Sequence, residues 1–146
     1  MKLNPDCIRD LMLFCEENTY ICAERVGENV GASYHVLSIG SMCLCPPLNN
    51  YDLGELTYHI IQLSESGYIA TNFKFDPSTR YLQRDLPQIF YVTPKGHEFI
   101  ATIESKENWV KTSGILKSAK AVSLSIIETV AKGITEGAIN QHIIAP

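Results

Sequence analysis

The sequence predicts an α+β domain carrying an inserted β-hairpin and a C-terminal amphipathic helical extension, and three observations lead there. Two prolines each follow a helix-capping residue, at Asn4-Pro5 and Thr93-Pro94, and mark helix starts where the missing N–H costs nothing. Between them, an Asp52-x-x-Glu55 helix start leads to Gly67 and then to two runs rich in β-branched and aromatic residues. Towards the C-terminus, apolar residues recur at helical spacing almost to the end of the chain.

The first helix is expected from about Pro5 to Asn18, with Ile8, Leu11, Met12 and Cys15 as one buried stripe and Arg9, Glu16 and Glu17 on the wetter side. Cys15 is then a packing residue. From Thr19 to Asn50 the pattern shifts to β-branched and aromatic residues broken by Gly27, Gly31 and Gly40. Tyr20–Val26 and Ser33–Ile39 are the expected strands of a hairpin, with residues 27–31 as the turn and Pro46-Pro47 as an extended exit, and no helix is expected within 19–50.

The second helix is expected from Asp52 to Ser66, burying Leu53, Leu56, Ile60 and Leu63 and ending at Gly67. Tyr68–Phe75 and Gln88–Val92 then read as strands joined through Asp76-Pro77-Ser78, forming a two-stranded wing. Pro94 opens a third helix to about Ser105 that buries Phe99, Ile100 and Ile103. The domain thus covers residues 1–106, with 19–50 inserted, and the extension covers 107–146.

In the extension, Ile115, Ala119, Val122, Ile126, Val130 and Ile134 are expected on one face, opposite Lys117, Lys120, Glu128 and Lys132. A break near Gly114 and fraying after Gly133 are expected, because each glycine disfavours helix by about 1 kcal/mol relative to alanine. A helix outlasting a small domain needs a second surface, which makes a homodimer through residues 115–135 the expectation.

Composition limits function. The chain has 146 residues, with 12 Lys+Arg against 16 Asp+Glu, so no excess positive charge is available for phosphates. Apolar residues at 45% and charged residues at 19% are ordinary globular values, and one packed core is expected. The odd set of Cys7, Cys15, Cys22, Cys43 and Cys45, behind an opening without an apolar signal region, suggests a reduced cytoplasmic setting. No stretch approaches the ~18 consecutive apolar residues of a membrane span.

Residues 56–69, Leu56-Thr-Tyr-His-Ile-Ile-Gln-Leu-Ser-Glu-Ser-Gly-Tyr-Ile69, followed by Val92-Thr-Pro-Lys-Gly-His-Glu-Phe-Ile100, resemble the helix, wing and last helix of winged helix-turn-helix proteins. The opening Met1-Lys-Leu-Asn-Pro-Asp-Cys-Ile-Arg-Asp10 and the tail around Asn108-Trp-Val-Lys111 resemble an uncharacterised family found largely in phages and prophages. The resemblance covers nearly the whole chain, with 19–50 as a departure, and implies a winged-helix-like fold without an activity to carry over.

In the usual docking of such a fold the helix before the wing enters the major groove, and Lys and Arg supply most of the affinity. Here that helix has no Lys or Arg between Asp52 and Ser66, while Asp52, Glu55 and Glu65 give it a formal charge of −3. The favoured expectation is therefore non-enzymatic protein binding, with Glu55, Tyr58, His59, Gln62 and Glu65 facing a partner whose surface is basic. Tyr51, Tyr58, Tyr68 and Tyr81 offer amphipathic contacts, unless they are half-buried core residues. In the phage setting that the resemblance implies, such a partner is a host nucleic-acid-handling or defence factor that the protein inhibits. The alternative is a DNA-binding transcriptional regulator using the same helix for base contacts and Lys74, Arg80 and Arg84 of the wing for phosphates.

Other chemistries find less support. Cys43-x-Cys45 with Cys22 and His35 has zinc-type donors but poor spacing, so no metal is expected. Gly27-x-x-x-Gly31 lacks the Gly-Lys-Ser/Thr ending of a phosphate loop. His35, His59, His97 and His142 stand at no readable spacing to a nucleophile and an orienting carboxylate. No catalytic residue and no cofactor are assigned.

Overall fold

A computed structural model describes residues 1–74, 78 and 87–144, the last four by backbone alone. The fold is mixed α+β, with six α-helices and two small antiparallel sheets among the described residues.

Helix α1 (Pro5–Asn18) has the expected bounds: Asn4 caps it by accepting from the Asp6 and Cys7 amides, and Cys7, Ile8, Leu11, Met12 and Cys15 are buried. Strands β1 (Ile21–Val26) and β2 (Asn29–Tyr34) form the hairpin, paired from Ile21↔Tyr34 to Val26↔Asn29. The turn is therefore Gly27-Glu28 and not residues 27–31. Gly27 has φ +63° while no non-glycine among the described residues has positive φ, the pattern of a type II′ turn that suits the twist of a hairpin. This tighter turn moves the second strand back from the expected 33–39.

Strand β3 (Leu37–Ser38) leaves the hairpin and pairs with the strand over Gln88–Val92, and α2 (Ile39–Met42) follows, capped by Ser38. Helical structure does occur within 19–50: α2 buries Ile39 and Met42, and a 3-10 turn over Leu48–Asn50 buries Leu48 directly after Pro46-Pro47. Burial of these three apolar side chains wins over the glycine-rich local composition.

Helix α3 (Leu53–Glu65) starts at Asp52, whose side chain accepts from the Glu55 amide at 2.7 Å. Leu56, Ile60 and Leu63 are buried as expected, but Leu53 is 46% exposed because it lies in the first turn, beyond the layer packed on the core. The C-terminal cap is followed by Gly67 at φ +81°. Strands β4 (Ile69–Thr71) and β5 (Gln88–Val92) pair from Ile69↔Val92, giving a sheet in the order β3-β5-β4. β4 ends at Thr71, short of the expected run through Lys74, while Phe75 and Asp76-Pro77 of the expected strand end and turn lie outside the described residues; Tyr68 is buried.

Helix α4 (Pro94–Ile103) buries Phe99, Ile100 and Ile103, and Ser105 caps α5 (Lys106–Lys117) instead of ending α4. The C-terminal region departs from expectation. Gly114 lies inside α5; the break falls between Lys117 and Leu124, and α6 (Leu124–Ile144) continues past Gly133. The break resets the helical phase, so Leu116, Leu124, Ile127 and Ala131 are buried while Ile115 and Ile126 are exposed. Helix α6 packs on α4 and α5, and Thr135 donates to the Thr102 carbonyl at 3.0 Å. One core of buried residues runs from α1 through α3, α4 and β5 to α6.

Candidate functional site

Two places concentrate chemistry: the junction of α1 with α3, and the hairpin. At the junction every polar group of Asn4 is engaged. Its carbonyl accepts from Ile8 N and its Oδ1 from the Asp6 and Cys7 amides, while Nδ2 donates to Glu55 Oε1 at 2.9 Å. Its backbone N–H donates to His59 Nε2 at 2.8 Å, and His59 Nδ1 lies 2.7 Å from the Glu55 carbonyl. An amide donor on Nε2 and a carbonyl acceptor at Nδ1 together assign the proton to Nδ1.

Cys7 completes this cluster. Its Sγ, a Glu55 carboxylate oxygen and a ring nitrogen of His59 all lie within 4.8 Å of one another. Burial pushes the Cys7 thiol up to about 12, and the charges of Glu55, Asp10 and Asp52 add to the effect. The surrounding acids are themselves anchored: Tyr51 donates to Asp10 at 2.7 Å, and Trp109 Nε1 donates to Asp6 at 2.9 Å. Burial, followed by the hydrogen bond to Asp10, raises the Tyr51 hydroxyl well above its ordinary value.

The residues expected to face a partner from α3 separate into two groups. His59 is 1% exposed and turned inward, contrary to expectation, because Asn4 folds over it and supplies a hydrogen bond that offsets burial of the ring. Glu55 is half-buried and held by Asn4. Tyr58 is half-buried too, stacking edge-on against His59 and donating to the Met1 carbonyl at 3.4 Å. Gln62 is half-buried and Glu65 exposed, so Tyr58, Gln62 and Glu65 remain at four- and three-residue spacing along one outer face. Lys74 is exposed, while Arg80, Arg84 and Tyr81 lie outside the described residues.

The Cys22, His35, Cys43 and Cys45 donors are not brought together. Among the described residues, Cys7, Glu55 and His59 are the one group of three or more metal-type donors, and sequence reasoning missed it. The available signal was Glu55-x-x-x-His59, one helical turn apart; Cys7 could not be connected to that pair without the packing of α1 on α3.

The hairpin is exposed along both strands. Its register places Ile21, Ala23, Val30, Ala32 and Tyr34 on one face together with Arg25. Exposure reaches 61% at Ile21, 65% at Val30 and 73% at Val26 on the opposite face. Its base is fixed by rings: Tyr34 stacks on Tyr91 of β5 at 5.4 Å between centroids, and Tyr20 stacks on His35 at 4.5 Å.

No helix among the described residues is long and apolar enough to cross a membrane. A family model described as "Hypothetical protein (DUF2513)" matches residues 2–123. Neither the curated proteins nor the solved structures provide a match.

Proposed function

The chain belongs to the DUF2513 family of hypothetical proteins, and we propose that it is a non-enzymatic binding protein on a winged-helix scaffold, engaging another protein through the β1-β2 hairpin. The order α1, β3, α2, α3, β4, β5, with β3 beside the returning strand β5, supports the winged-helix reading. On that scaffold the hairpin is an arm inserted between the first helix and the first strand of the sheet.

The observation that carries the proposal is the exposure of Ile21, Val26, Val30 and Tyr34 on a two-stranded element exposed on both faces. A two-stranded hairpin has little stability of its own in water, and apolar side chains grouped on such an element mark a contact surface. Asp52 and Glu65 remain exposed on and before α3, and the chain carries a net charge of −4, which favours a partner with a basic surface. Nucleic-acid-handling enzymes are that class of partner, and inhibition of one in a phage setting is the role the reading implies.

The test replaces residues 21–34 with a short turn and compares capture from host lysate at low salt. A partner held by the intact chain and lost from the folded variant supports the arm; equal capture by both, or capture by neither, rejects it. Retardation of generic duplex DNA by the intact chain at low salt would favour the regulator alternative, with Lys74 and the wing arginines as contacts.

A further inference from the structure

The α1/α3 junction brings a thiol, a carboxylate and an imidazole together. We propose that Cys7 Sγ, a Glu55 carboxylate oxygen and His59 Nε2 form a binding site for a thiophilic divalent cation of the zinc type. This inference is independent of the hairpin as a contact arm.

Three observations support it. Thiolate, imidazole and carboxylate are each zinc ligands, and a tetrahedral centre with bonds of about 2.0–2.3 Å holds its ligand atoms about 3.3–3.8 Å apart. One donor atom from each residue, a ring nitrogen in the case of His59, already lies within 4.8 Å of the other two, so closing on an ion takes side-chain movements of about one ångström.

The second observation is the orientation of His59. Metal-bound histidines donate their other ring N–H to a carbonyl or carboxylate, which fixes the ring and leaves the basic nitrogen for the ion. Here Nδ1 is already paired with the Glu55 carbonyl at 2.7 Å, leaving Nε2 as the basic nitrogen.

The third is rigidity. Glu55 and His59 stand one turn apart on α3, Cys7 lies in the first turn of α1, and each helix start has a side-chain cap. On binding, the Cys7 S–H proton leaves to solvent and the sulfur electron pair forms the bond to the ion.

One contact must give way. The Nε2 lone pair now accepts the Asn4 N–H at 2.8 Å and cannot serve both partners. Loading therefore detaches the Asn4 amide from α3, and the site couples cation binding to release of the N-terminal segment.

The full chain, reduced and freed of metal with a chelator, is titrated with Co2+. The expected result is saturation at one equivalent, with a near-ultraviolet thiolate-to-cobalt band that Zn2+ removes and an amide resonance shift at Asn4. Cys7→Ser abolishes the band, His59→Gln and Glu55→Gln weaken binding by about tenfold or more, and Cys43→Ser with Cys45→Ser leaves it unchanged. Absence of a saturable band from the folded wild-type chain overturns the proposal whatever the variants do. Persistence of the band in Cys7→Ser overturns it equally.

Discussion

The backbone N–H of Asn4 donates to Nε2 of His59 at 2.8 Å, joining the start of the first helix to the middle of the third. Removing the acceptor leaves a half-buried amide unpaired, which costs about 1–3 kcal/mol. His59→Leu is expected to lower unfolding stability in urea by that amount, although leucine suits the burial of the site. Gln62→Ala, on the outer face of the same helix, is expected to change stability by less than about 0.5 kcal/mol. Equal losses in the two variants would show that His59 has no special role in joining α1 to α3.

Gly96 is required for a different reason. A Cβ at this position would collide with the Tyr68 carbonyl oxygen and approach Val92 Cγ1 to 2.7 Å. The first clash is with backbone, so a change of rotamer cannot relieve it. Gly96→Ala is expected to destabilise by about 1–3 kcal/mol or more, despite alanine's better helix propensity. Gly114→Ala, with open space at its Cβ position, is expected to be stabilising by up to about 1 kcal/mol. Thermal unfolding of the two variants should therefore shift in opposite directions.

What the sequence made legible was local. Asn4, Asp52 and Thr93 cap the helices that their side chains announced, because a cap depends on residues within one turn. The hairpin strands were harder to place: several glycines could have made the turn, and pairing selected Gly27-Glu28. In the C-terminal region a single stripe was read through what is two helices, and the intervening break shifted burial from Ile115 and Ile126 to Leu116 and Ile127. His59 was misplaced because its burial depends on Asn4, 55 residues away, folding over the ring. The Cys7, Glu55 and His59 cluster was hidden for the same reason: it exists only once α1 packs on α3.

Helix α6 is fastened to the domain by a polar contact as well as by its apolar face. Tyr68 is 2% exposed, and its hydroxyl donates to the Glu128 carboxylate, while Lys95 Nζ lies 4.6 Å from the ring centroid. Burial, then the hydrogen bond to Glu128, raises the Tyr68 hydroxyl well above its ordinary value. Tyr68→Phe keeps the ring and deletes the donor, so a loss of about 1.5–3 kcal/mol is expected for a hydrogen bond to a charged group. Amide hydrogen exchange should accelerate in α6 more than in α3. Uniform acceleration in both helices would indicate that Glu128 does not hold α6 specifically.

Cys15 and Cys22 provide an internal pair for testing the placement of the core. Burial alone pushes the Cys15 thiol from 9.0 up to about 12, whereas Cys22 is exposed on the hairpin. Because the thiolate is the reacting form, a neutral alkylating reagent at pH 8 should modify Cys22 in the folded protein and leave Cys15 intact until urea unfolds the chain. The same shift sets the sign of the alkaline response. Between about pH 9 and 12 the unfolded chain releases the Cys15 proton while the folded chain retains it. The contribution of Cys15 to stability is therefore complete below pH 9 and is lost as pH rises towards 12. Cys15→Ala removes that contribution, so its unfolding free energy from urea titrations should fall less steeply over this interval than the wild type's, by up to about 1.4 kcal/mol per pH unit. Modification of Cys15 in the folded protein as fast as that of Cys22, or parallel alkaline slopes in the two proteins, would contradict a buried Cys15 in α1.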